Sequence, residues 1–375
     1  MGEKRIVLVG GGSGGHFYPT IAVAQRLKDR SSLEMPISLF YFGPEPYNNT
    51  ALAENNVTFV RIPTGKRRKY FSLLNFLDVF KVFFGIFFAI WQLYKIYPDV
   101  VFSKGGYTSV PVVIAAWLLR IPIMIHESDT KVGTANKLGA KFARYIAIAF
   151  DEVAPQFPAA KTALVGMPLR KELLQTIENP KEKLGVPGHL PLIFVTGGSL
   201  GSQRINRLIL ESLDELLPNY VILHQTGEQN EADVQRTSGE LLTDAELLAR
   251  YFVKGTLSAA EMHLAQTAAD IVISRAGTGT IFEVAQKGTP AILIPIPEDI
   301  SHDQRTNAYA YARSGAGSVI EEANLTDGLL TAEITRIMEN PEVYKQMASA
   351  ALAFGSRDAA DTIAGTLIEI AQEHV

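Results

Sequence analysis

A glycine-rich loop near the amino terminus carries the first residues that could do chemistry. Residues 10–15 read GGGSGG, and His16 follows at once. Glycines let the backbone approach a ligand closely, and amides at the start of the next helix can bind an anion. Histidine can take a proton from a hydroxyl at neutral pH, so His16 is a candidate general base. The pH–rate profile should then have an acid limb near the ordinary histidine pKa. A helix cap is the alternative role for this side chain.

A second glycine-containing turn carries a carboxylate. The segment SRAGTGTIFE occupies residues 274–283 and leads from an apolar run into a predicted helix that ends near Lys287, with Gly288 suited to the C-cap. Amides at the start of this helix could bind a diphosphate. Glu283 lies about one turn inside, where its carboxylate could accept hydrogen bonds from two neighbouring sugar hydroxyls. The alternative is a glutamate that only complements the helix dipole.

Other acid–base candidates lie at the end of a further predicted strand, where His126 and Glu127 are followed by Asp129. Glu127 and Asp129 are therefore rival bases to His16. The chain has no cysteine, and its seven histidines show no HxxxH or HxH spacing. This pattern disfavours thiol chemistry, disulfides and a metal site, so no metal and no cofactor are expected. A net charge of −4 argues against a nucleic-acid partner.

A basic run precedes an aromatic stretch in the first half of the chain. Residues 82–94 contain no charge, but about twenty apolar residues are needed to span a bilayer. The pattern favours a helix that lies at the surface of an anionic membrane, and a helix buried in the core is the alternative. The basic residues are Lys66, Arg67, Arg68 and Lys69, and the aromatic residues are Phe83, Phe84, Phe87, Phe88 and Trp91.

The elements that must position these residues follow an α/β pattern. Short apolar runs alternate with helical stretches throughout, which predicts parallel sheets buried on both faces. The predicted strands are residues 5–10, 37–43, 58–63, 100–104, 121–126, 145–150, 162–166, 192–196, 220–225, 250–254, 270–274, 291–295 and 317–321.

The two halves of the chain open alike, with IVLVGGGSGG at the start and LIFVTGGSLGS near residue 192. This similarity predicts two Rossmann-like, doubly wound domains that face each other across a cleft, with ligands at the carboxyl ends of the strands. The predicted domains are residues 1–166 and 167–340, and helices in 341–375 are expected to pack back on the first domain.

A dinucleotide-binding dehydrogenase is one alternative for the first loop. Two features weaken it. His16 and Pro19 lie where the next helix should begin, and the second predicted strand ends without the acidic residue that would hold a ribose.

Seven motifs in order point to a family. They are GGGSGGHFYPTIAVA, SKGGYTSVP, IHESD, GMPLR, VTGGSLGSQRIN, SRAGTGTIFE and HDQRTNA, between residues 10 and 308. This set resembles the MurG family of bacterial glycosyltransferases, glycosyltransferase family 28. The resemblance implies the GT-B fold and an inverting transfer of N-acetylglucosamine from UDP-N-acetylglucosamine to the 4-hydroxyl of N-acetylmuramic acid in lipid I, making lipid II. A related diacylglycerol glycosyltransferase and a catalytically silent UDP-sugar-binding scaffold are the alternatives.

The resemblance also implies roles for single residues. Glu283 would hold the ribose hydroxyls, Gln304 would contact the N-acetylglucosamine with Asn307 supporting it, and Ser199 and Arg170 would lie near the diphosphate. The loop over the reaction centre matches Ser13, Gly14 and Gly15, and the donor-lining segment matches Thr278, Gly279, Thr280, Ile281, Phe282 and Glu283. Asp129 stands where the family often has Asn, and Met167 replaces an Asn.

The implied partners follow from the implied reaction. They are UDP-N-acetylglucosamine, the undecaprenyl-linked acceptor lipid I and an anionic membrane surface, with other cell-wall synthesis enzymes as further candidates. An acceptor that cannot leave the bilayer places the protein peripherally on the cytoplasmic side of the bacterial membrane.

Overall fold

The described part of the chain covers residues 2–65, 73–198, 200–301 and 303–373 of a computed structural model. The predicted sites at Lys66, Arg67, Arg68, Lys69 and Ser199 lie outside these residues. The chain divides into two units, described separately below: unit 1 is Met1–Glu172 with Arg357–Val375, and unit 2 is Leu173–Ser356.

A parallel sheet forms the centre of unit 1. Seven strands are described there, and they follow the order β3-β2-β1-β4-β5-β6-β7. The strands are β1 (Lys4–Val9), β2 (Ile37–Gly43), β3 (Val57–Arg61), β4 (Val100–Ser103), β5 (Ile123–Glu127), β6 (Tyr145–Ile148) and β7 (Thr162–Leu164). The order reverses between β1 and β4, which opens a crevice at the carboxyl ends of these two strands.

Unit 2 repeats this plan. Its described residues form a six-stranded parallel sheet in the order β10-β9-β8-β11-β12-β13, with the reversal between β8 and β11. The strands are β8 (Leu192–Thr196), β9 (Val221–Gln225), β10 (Tyr251–Lys254), β11 (Ile271–Ser274), β12 (Ala291–Leu293) and β13 (Gly317–Val319).

Helices cover both faces of each sheet. Those of unit 1 are α1 (Gly14–Arg30), α2 (Asn49–Glu54), α3 (Leu73–Ile96), α4 (Val110–Leu118), α5 (Thr134–Phe142) and α6 (Lys171–Leu174, which crosses the boundary). Those of unit 2 are α7 (Pro180–Lys183), α8 (Gln203–Glu211), α9 (Leu213–Leu216), α10 (Glu231–Leu241), α11 (Ala245–Leu248), α12 (Ala259–Ala268), α13 (Thr278–Lys287), α14 (Gln304–Arg313), α15 (Asp327–Met338) and α16 (Pro341–Gly355). The last helix, α17 (Ala359–Glu373), belongs to unit 1.

The predicted strands are all present, with ends displaced by at most two residues. The central strands β4 and β8 are buried along their whole length, as apolar strands covered on both faces must be. The α/β fold class with two Rossmann-like sheets is therefore confirmed.

The first helix differs from expectation. The sequence analysis places its start between His16 and Pro19. Instead α1 begins at Gly14, after Ser13, and contains Pro19. A proline inside a helix removes the N–H that would reach the carbonyl four residues earlier, which here is that of Gly15.

The C-terminal segment divides at Ser356. Helix α16 packs on α13 of unit 2, whereas α17 packs on α1 and β1 of unit 1. Lys4 Nζ donates a buried hydrogen bond of 2.8 Å to Ala371 O, and Leu367 is fully buried. The surface pairs Arg26–Asp358 and Arg30–Asp361 flank this contact and contribute little by themselves.

We expect Leu367→Ala to lower the free energy of unfolding of unit 1 by about 2–5 kcal/mol, because it leaves a cavity between α17 and the sheet. Urea unfolding, monitored through hydrogen exchange of the β1 amides, measures this free energy. Glu369→Ala, on the exposed face of α17, is the control and should change the value by less than about 0.5 kcal/mol. Equal effects of the two substitutions would show that α17 does not stabilise unit 1.

Candidate functional site

The glycine loop of unit 1 lies at the carboxyl end of β1, beside that of β4. Its backbone is held from two sides: the Tyr41 hydroxyl donates to Gly10 O at 2.7 Å, and Gly11 N donates to Thr108 Oγ1 at 2.9 Å. Gly12 has a φ of +92°, and a Cβ there would lie 2.6 Å from the Tyr107 ring. Position 12 therefore requires glycine. Near its end β2 carries Tyr41, whereas a dinucleotide-binding dehydrogenase would have an acidic residue there to hold a ribose.

His16 is half-buried in the first turn of α1. Its Nδ1 lies 2.8 Å from Ser13 Oγ, and its backbone N donates to Ser13 O at 3.2 Å. Burial and the nearby Lys104 lower the pKa of His16 to about 4, although Asp129 opposes this shift. The imidazole is therefore neutral at pH 7. The acid limb of the pH–rate profile, expected near pH 6.5, therefore moves to lower pH, because burial removes the ring from water.

Lys104 is a residue that sequence reasoning missed. It follows β4 in the motif SKGGYTSVP, is 1% exposed, and its Nζ has no hydrogen-bond partner among the described residues. Its Cβ would lie 2.6 Å from a Cβ placed on Gly10, so the side chain starts directly against the glycine loop. Burial lowers the pKa of Lys104, while Glu127 and Asp129 raise it. The sequence signal that could have identified it is a lysine placed directly at the end of an apolar predicted strand.

Glu127 is buried at the end of β5 and bound by its own loop. Both carboxylate oxygens accept hydrogen bonds, and burial raises its pKa while Lys104 lowers it. The donors are Ser128 N at 2.9 Å, Asp129 N at 3.3 Å, Gly133 N at 2.8 Å and Asn136 Nδ2 at 3.1 Å. These four contacts make Glu127 an organiser of the loop, and they disfavour its predicted role as a base.

The two neighbours of Glu127 differ in exposure. His126 is fully buried, its Nε2 lies 2.8 Å from Gly166 O, and burial lowers its pKa well below the ordinary range. Asp129 is half-buried and accepts a hydrogen bond of 3.2 Å from Ser128 Oγ. Of the carboxylates in this loop, Asp129 is the more accessible to a substrate.

Arg170 lies in unit 1, after β7. Its guanidinium carbon is 4.5 Å from the centre of the Tyr18 ring on α1, and its Nε is buried without a hydrogen-bond partner in the described part of the chain. The sequence analysis places this arginine in the second predicted domain, residues 167–340. The structure instead groups it with the glycine loop and His16.

In unit 2 the start of α13 lies at the carboxyl end of β11, beside that of β8. Its N-cap is Gly277, which has no side chain to bond the first-turn amides. Asn307 Nδ2 of α14 donates to Thr278 Oγ1 at 3.2 Å. Glu283 lies one turn on, half-buried, and its Oε1 is 3.9 Å from the position a Cβ would take at Gly279. The carboxylate therefore points back toward the first turn.

The predicted donor-lining segment has two kinds of side chain. Ile281 and Phe282 are buried, and the Phe282 ring packs against Phe354 at 4.9 Å between centres. Any contact they make with a ligand is therefore through the backbone. Thr280 and Gly279 are half-buried, as is Glu283 on the same helix.

Gln304 and Asn307 both lie on α14. Gln304 Oε1 accepts a hydrogen bond of 3.2 Å from Ile296 N in the segment after β12, and Asn307 is 1% exposed. Asn307 thus acts on α13 through Thr278. Gln304 is the half-buried member of the pair, and a ligand could reach it.

Helix α3 has one buried and one exposed face. Gly85, Ala89 and Leu93 are buried, and a Cβ at Gly85 would lie 2.1 Å from Pro63 O. The exposed side, here called the α3 aromatic face, consists of Phe83, Phe84, Phe87, Phe88 and Trp91, each 51–58% exposed. Within the described ranges, no helix is long and apolar enough to cross a membrane.

Comparison with protein families gives two matches. The glycosyltransferase family 28 N-terminal domain matches residues 6–148, and the C-terminal domain of the same family matches residues 192–363. Together they cover most of the chain and both glycine loops.

Whole proteins match over nearly the full length. The UDP-N-acetylglucosamine–N-acetylmuramyl-(pentapeptide) pyrophosphoryl-undecaprenol N-acetylglucosamine transferase 2 of Bacillus cereus is 36% identical over 96% of this chain and 98% of its own length. The transferase of that name, without the number, from Clostridium kluyveri is 36% identical over 92% of this chain and 95% of its own length.

A solved structure agrees with these matches. The crystal structure of Acinetobacter baumannii MurG has a TM-score of 0.76 at 26% identity, over 98% of this chain and 99% of that one. The GT-B fold class is thereby confirmed, and the dehydrogenase alternative is wrong. By sequence and by structure, the chain belongs to glycosyltransferase family 28.

Proposed function

We propose that this protein transfers N-acetylglucosamine from UDP-N-acetylglucosamine to the 4-hydroxyl of N-acetylmuramic acid in undecaprenyl-pyrophosphoryl-N-acetylmuramoyl-pentapeptide. This is the step from lipid I to lipid II in peptidoglycan synthesis. The observation that carries the proposal is similarity over 96% of the chain to a transferase of that name. The uncapped start of α13 and the neutral His16 supply groups suited to this chemistry.

The donor is proposed to bind unit 2. Amides in the first turn of α13 would hold the diphosphate, since they favour an anion and Gly277 leaves them without a side-chain cap. Glu283 would accept hydrogen bonds from the ribose hydroxyls, and Gln304 would contact the N-acetylglucosamine. Asn307 would keep Thr278 in place through their 3.2 Å contact. On the basis of the family motifs alone, Ser199 is a further proposed diphosphate contact in unit 2, and Arg170, which belongs to unit 1, stays a proposed donor contact.

The transfer needs a proton acceptor and a stabilised leaving group. The acceptor oxygen attacks the anomeric carbon, the bond from that carbon to the diphosphate breaks, and the hydroxyl proton passes to the base. Neutral His16 is the proposed base. If Nδ1–H donates to Ser13 Oγ across their 2.8 Å contact, Nε2 carries a lone pair for the acceptor proton. The amides of α13 would stabilise the charge on the departing UDP.

Asp129 is the proposed second candidate. It interacts electrostatically with His16 and raises its pKa, so it favours the imidazolium that forms when the proton is taken. A role in supporting His16 therefore fits its position better than a role as the base.

The α3 aromatic face is proposed to dock on the cytoplasmic surface of the membrane. Moving aromatic rings that are half exposed to water into the headgroup region lowers the free energy. Lys66, Arg67, Arg68 and Lys69 directly precede this helix in the sequence and would attract anionic lipids. The acceptor is lipid-linked, so this attachment would bring the protein to its substrate.

The first prediction about function concerns the reaction. With UDP-N-acetylglucosamine and a lipid I analogue, the protein should release UDP and form the disaccharide, but not with diacylglycerol. His16→Ala should lower kcat by about 10²–10⁴-fold, the usual contribution of a general base, while the Kd of the donor changes only a few-fold. His189→Ala, an exposed histidine, is the control.

The pH dependence follows from the same residue. The base must be unprotonated, so kcat/KM falls as pH falls through the pKa of His16 in the free enzyme. We expect kcat/KM to be level at neutral pH and half-lost near pH 4. An acid limb near pH 6.5, or turnover by His16→Ala at nearly the parent rate, would contradict this assignment, and Asp129→Asn would be the next variant to measure.

The second prediction tests the donor site. Glu283→Ala should weaken UDP-N-acetylglucosamine binding about 10- to 150-fold, because hydrogen bonds to a charged acceptor contribute about 1.5–3 kcal/mol. Calorimetric titration measures the Kd, and Gln286→Ala on the same helix is the control. An unchanged Kd in folded Glu283→Ala would remove Glu283 from the site.

The third prediction tests the membrane surface. Replacing Phe84, Phe87 and Phe88 by Ser should reduce flotation with anionic liposomes by at least about tenfold, given the apolar area lost from the interface. Serine at all four basic positions should remove the preference for anionic over neutral vesicles, at about 1 kcal/mol for each charge. Serine at the exposed Leu329 and Leu352 of unit 2 is the control. Equal binding of the aromatic variant and the parent would exclude this face.

A further inference from the structure

Helix α12 packs beside α13 in unit 2 and brings a buried amide to Glu283. Gln266 lies in the last turn of α12 and is 1% exposed. Its Nε2 donates to Glu283 Oε2 at 2.9 Å. The donor–acceptor assignment is unambiguous, because an ionised carboxylate can only accept.

Packing alone does not explain why residue 266 is a glutamine, because the oxygen of its amide is buried without a hydrogen bond from the described residues. Gln266 Oε1 is buried and has no hydrogen-bond partner among the described residues. A buried acceptor without a donor destabilises the folded state. An apolar side chain of similar volume would avoid this cost. What the glutamine adds at this position is the hydrogen bond to Glu283.

That hydrogen bond acts on a carboxylate whose direction matters. Glu283 Oε1 lies 3.9 Å from the position of a Cβ on Gly279, so the side chain runs back along α13. Each carboxylate oxygen can accept two hydrogen bonds, so Oε2 can bond Gln266 and still receive a ligand hydroxyl. A donor fixed on Oε2 restricts rotation of the carboxylate plane.

We infer that Gln266 is a positioning residue for nucleotide recognition, which holds the Glu283 carboxylate in the orientation that receives the two neighbouring hydroxyls of a ribose. The inference rests on the proposed donor role of Glu283. Two hydroxyls held at a fixed separation match a carboxylate only over a narrow range of rotation. A carboxylate already fixed in that range loses less conformational freedom when the nucleotide binds.

Titration of the full-length protein with UDP and with 2′,3′-dideoxy-UDP separates this role from a general effect on the fold. The parent should bind UDP at least about tenfold more tightly, since only UDP offers the two hydroxyls. Gln266→Met keeps the volume and removes the donor. It should weaken UDP binding about five- to tenfold and leave the Kd of dideoxy-UDP within about twofold. Its thermal stability should equal or exceed that of the parent.

The control comes from the same helix. Thr267 Oγ1 donates to His263 O at 2.7 Å, so Thr267→Val removes a side-chain hydrogen bond of α12 that does not involve Glu283. It should leave the affinity ratio of UDP to dideoxy-UDP unchanged. In Glu283→Gln, adding Gln266→Met should produce almost no further loss, because the two side chains act as one unit.

The outcomes distinguish the inference from the function on which it rests. A parent that does not discriminate between the two nucleotides overturns the ribose role of Glu283, and the inference with it. The inference alone is overturned by a different set of results. In that set the parent discriminates between UDP and dideoxy-UDP, Glu283→Gln does not, and Gln266→Met keeps the affinity ratio of the parent. If Gln266→Met does not fold, Gln266→Asn keeps the amide one methylene short of Glu283, and the parent ratio in this variant is equally decisive.

Discussion

The two candidate sites depend on helix amides that side chains do not satisfy. In α8 and α12 the serine at the N-cap accepts a hydrogen bond from a first-turn amide, so a side chain satisfies part of each helix start. In α13 the N-cap is Gly277, and in α1 the Ser13 hydroxyl bonds the His16 ring instead of a first-turn amide. An anion is the ligand that such helix starts favour most. Because both helices follow a strand at the reversal of strand order, their amides meet an open crevice.

Burial shifts the pKa values of the ionisable groups at the site of unit 1. Among the described residues, Lys104 Nζ has no hydrogen-bond acceptor, whereas Glu127 has four donors, and His16 beside them is held neutral. Burying charge in this way destabilises the fold unless the charges compensate one another. The compensation here is mutual, since Lys104 and Glu127 each favour the charged form of the other. The neutral imidazole of His16 is therefore the form available for the role proposed for it.

Helix α3 shows how one sequence pattern serves two surroundings. Its small residues Gly85 and Ala89 let the helix pack closely against the unit, and its aromatic residues turn outward. Five large aromatic side chains on one exposed face are costly in water and favourable at a membrane surface. The proposed docking therefore accounts for an arrangement that the folding of unit 1 does not itself require.

The sequence by itself determined the strands, the two-domain plan and the family, because buried parallel strands leave continuous apolar runs and glycine loops leave local motifs. Only the tertiary structure decided the surroundings of each site residue. It placed Arg170 against Tyr18, bound Glu127 within its own loop, and buried Lys104 where its Nζ has no hydrogen-bond partner in the described part of the chain. It also joined Gln266 to Glu283 across two helices. Burial and hydrogen-bond partners come from segments far apart in the chain, and no local pattern of residues records which segments meet.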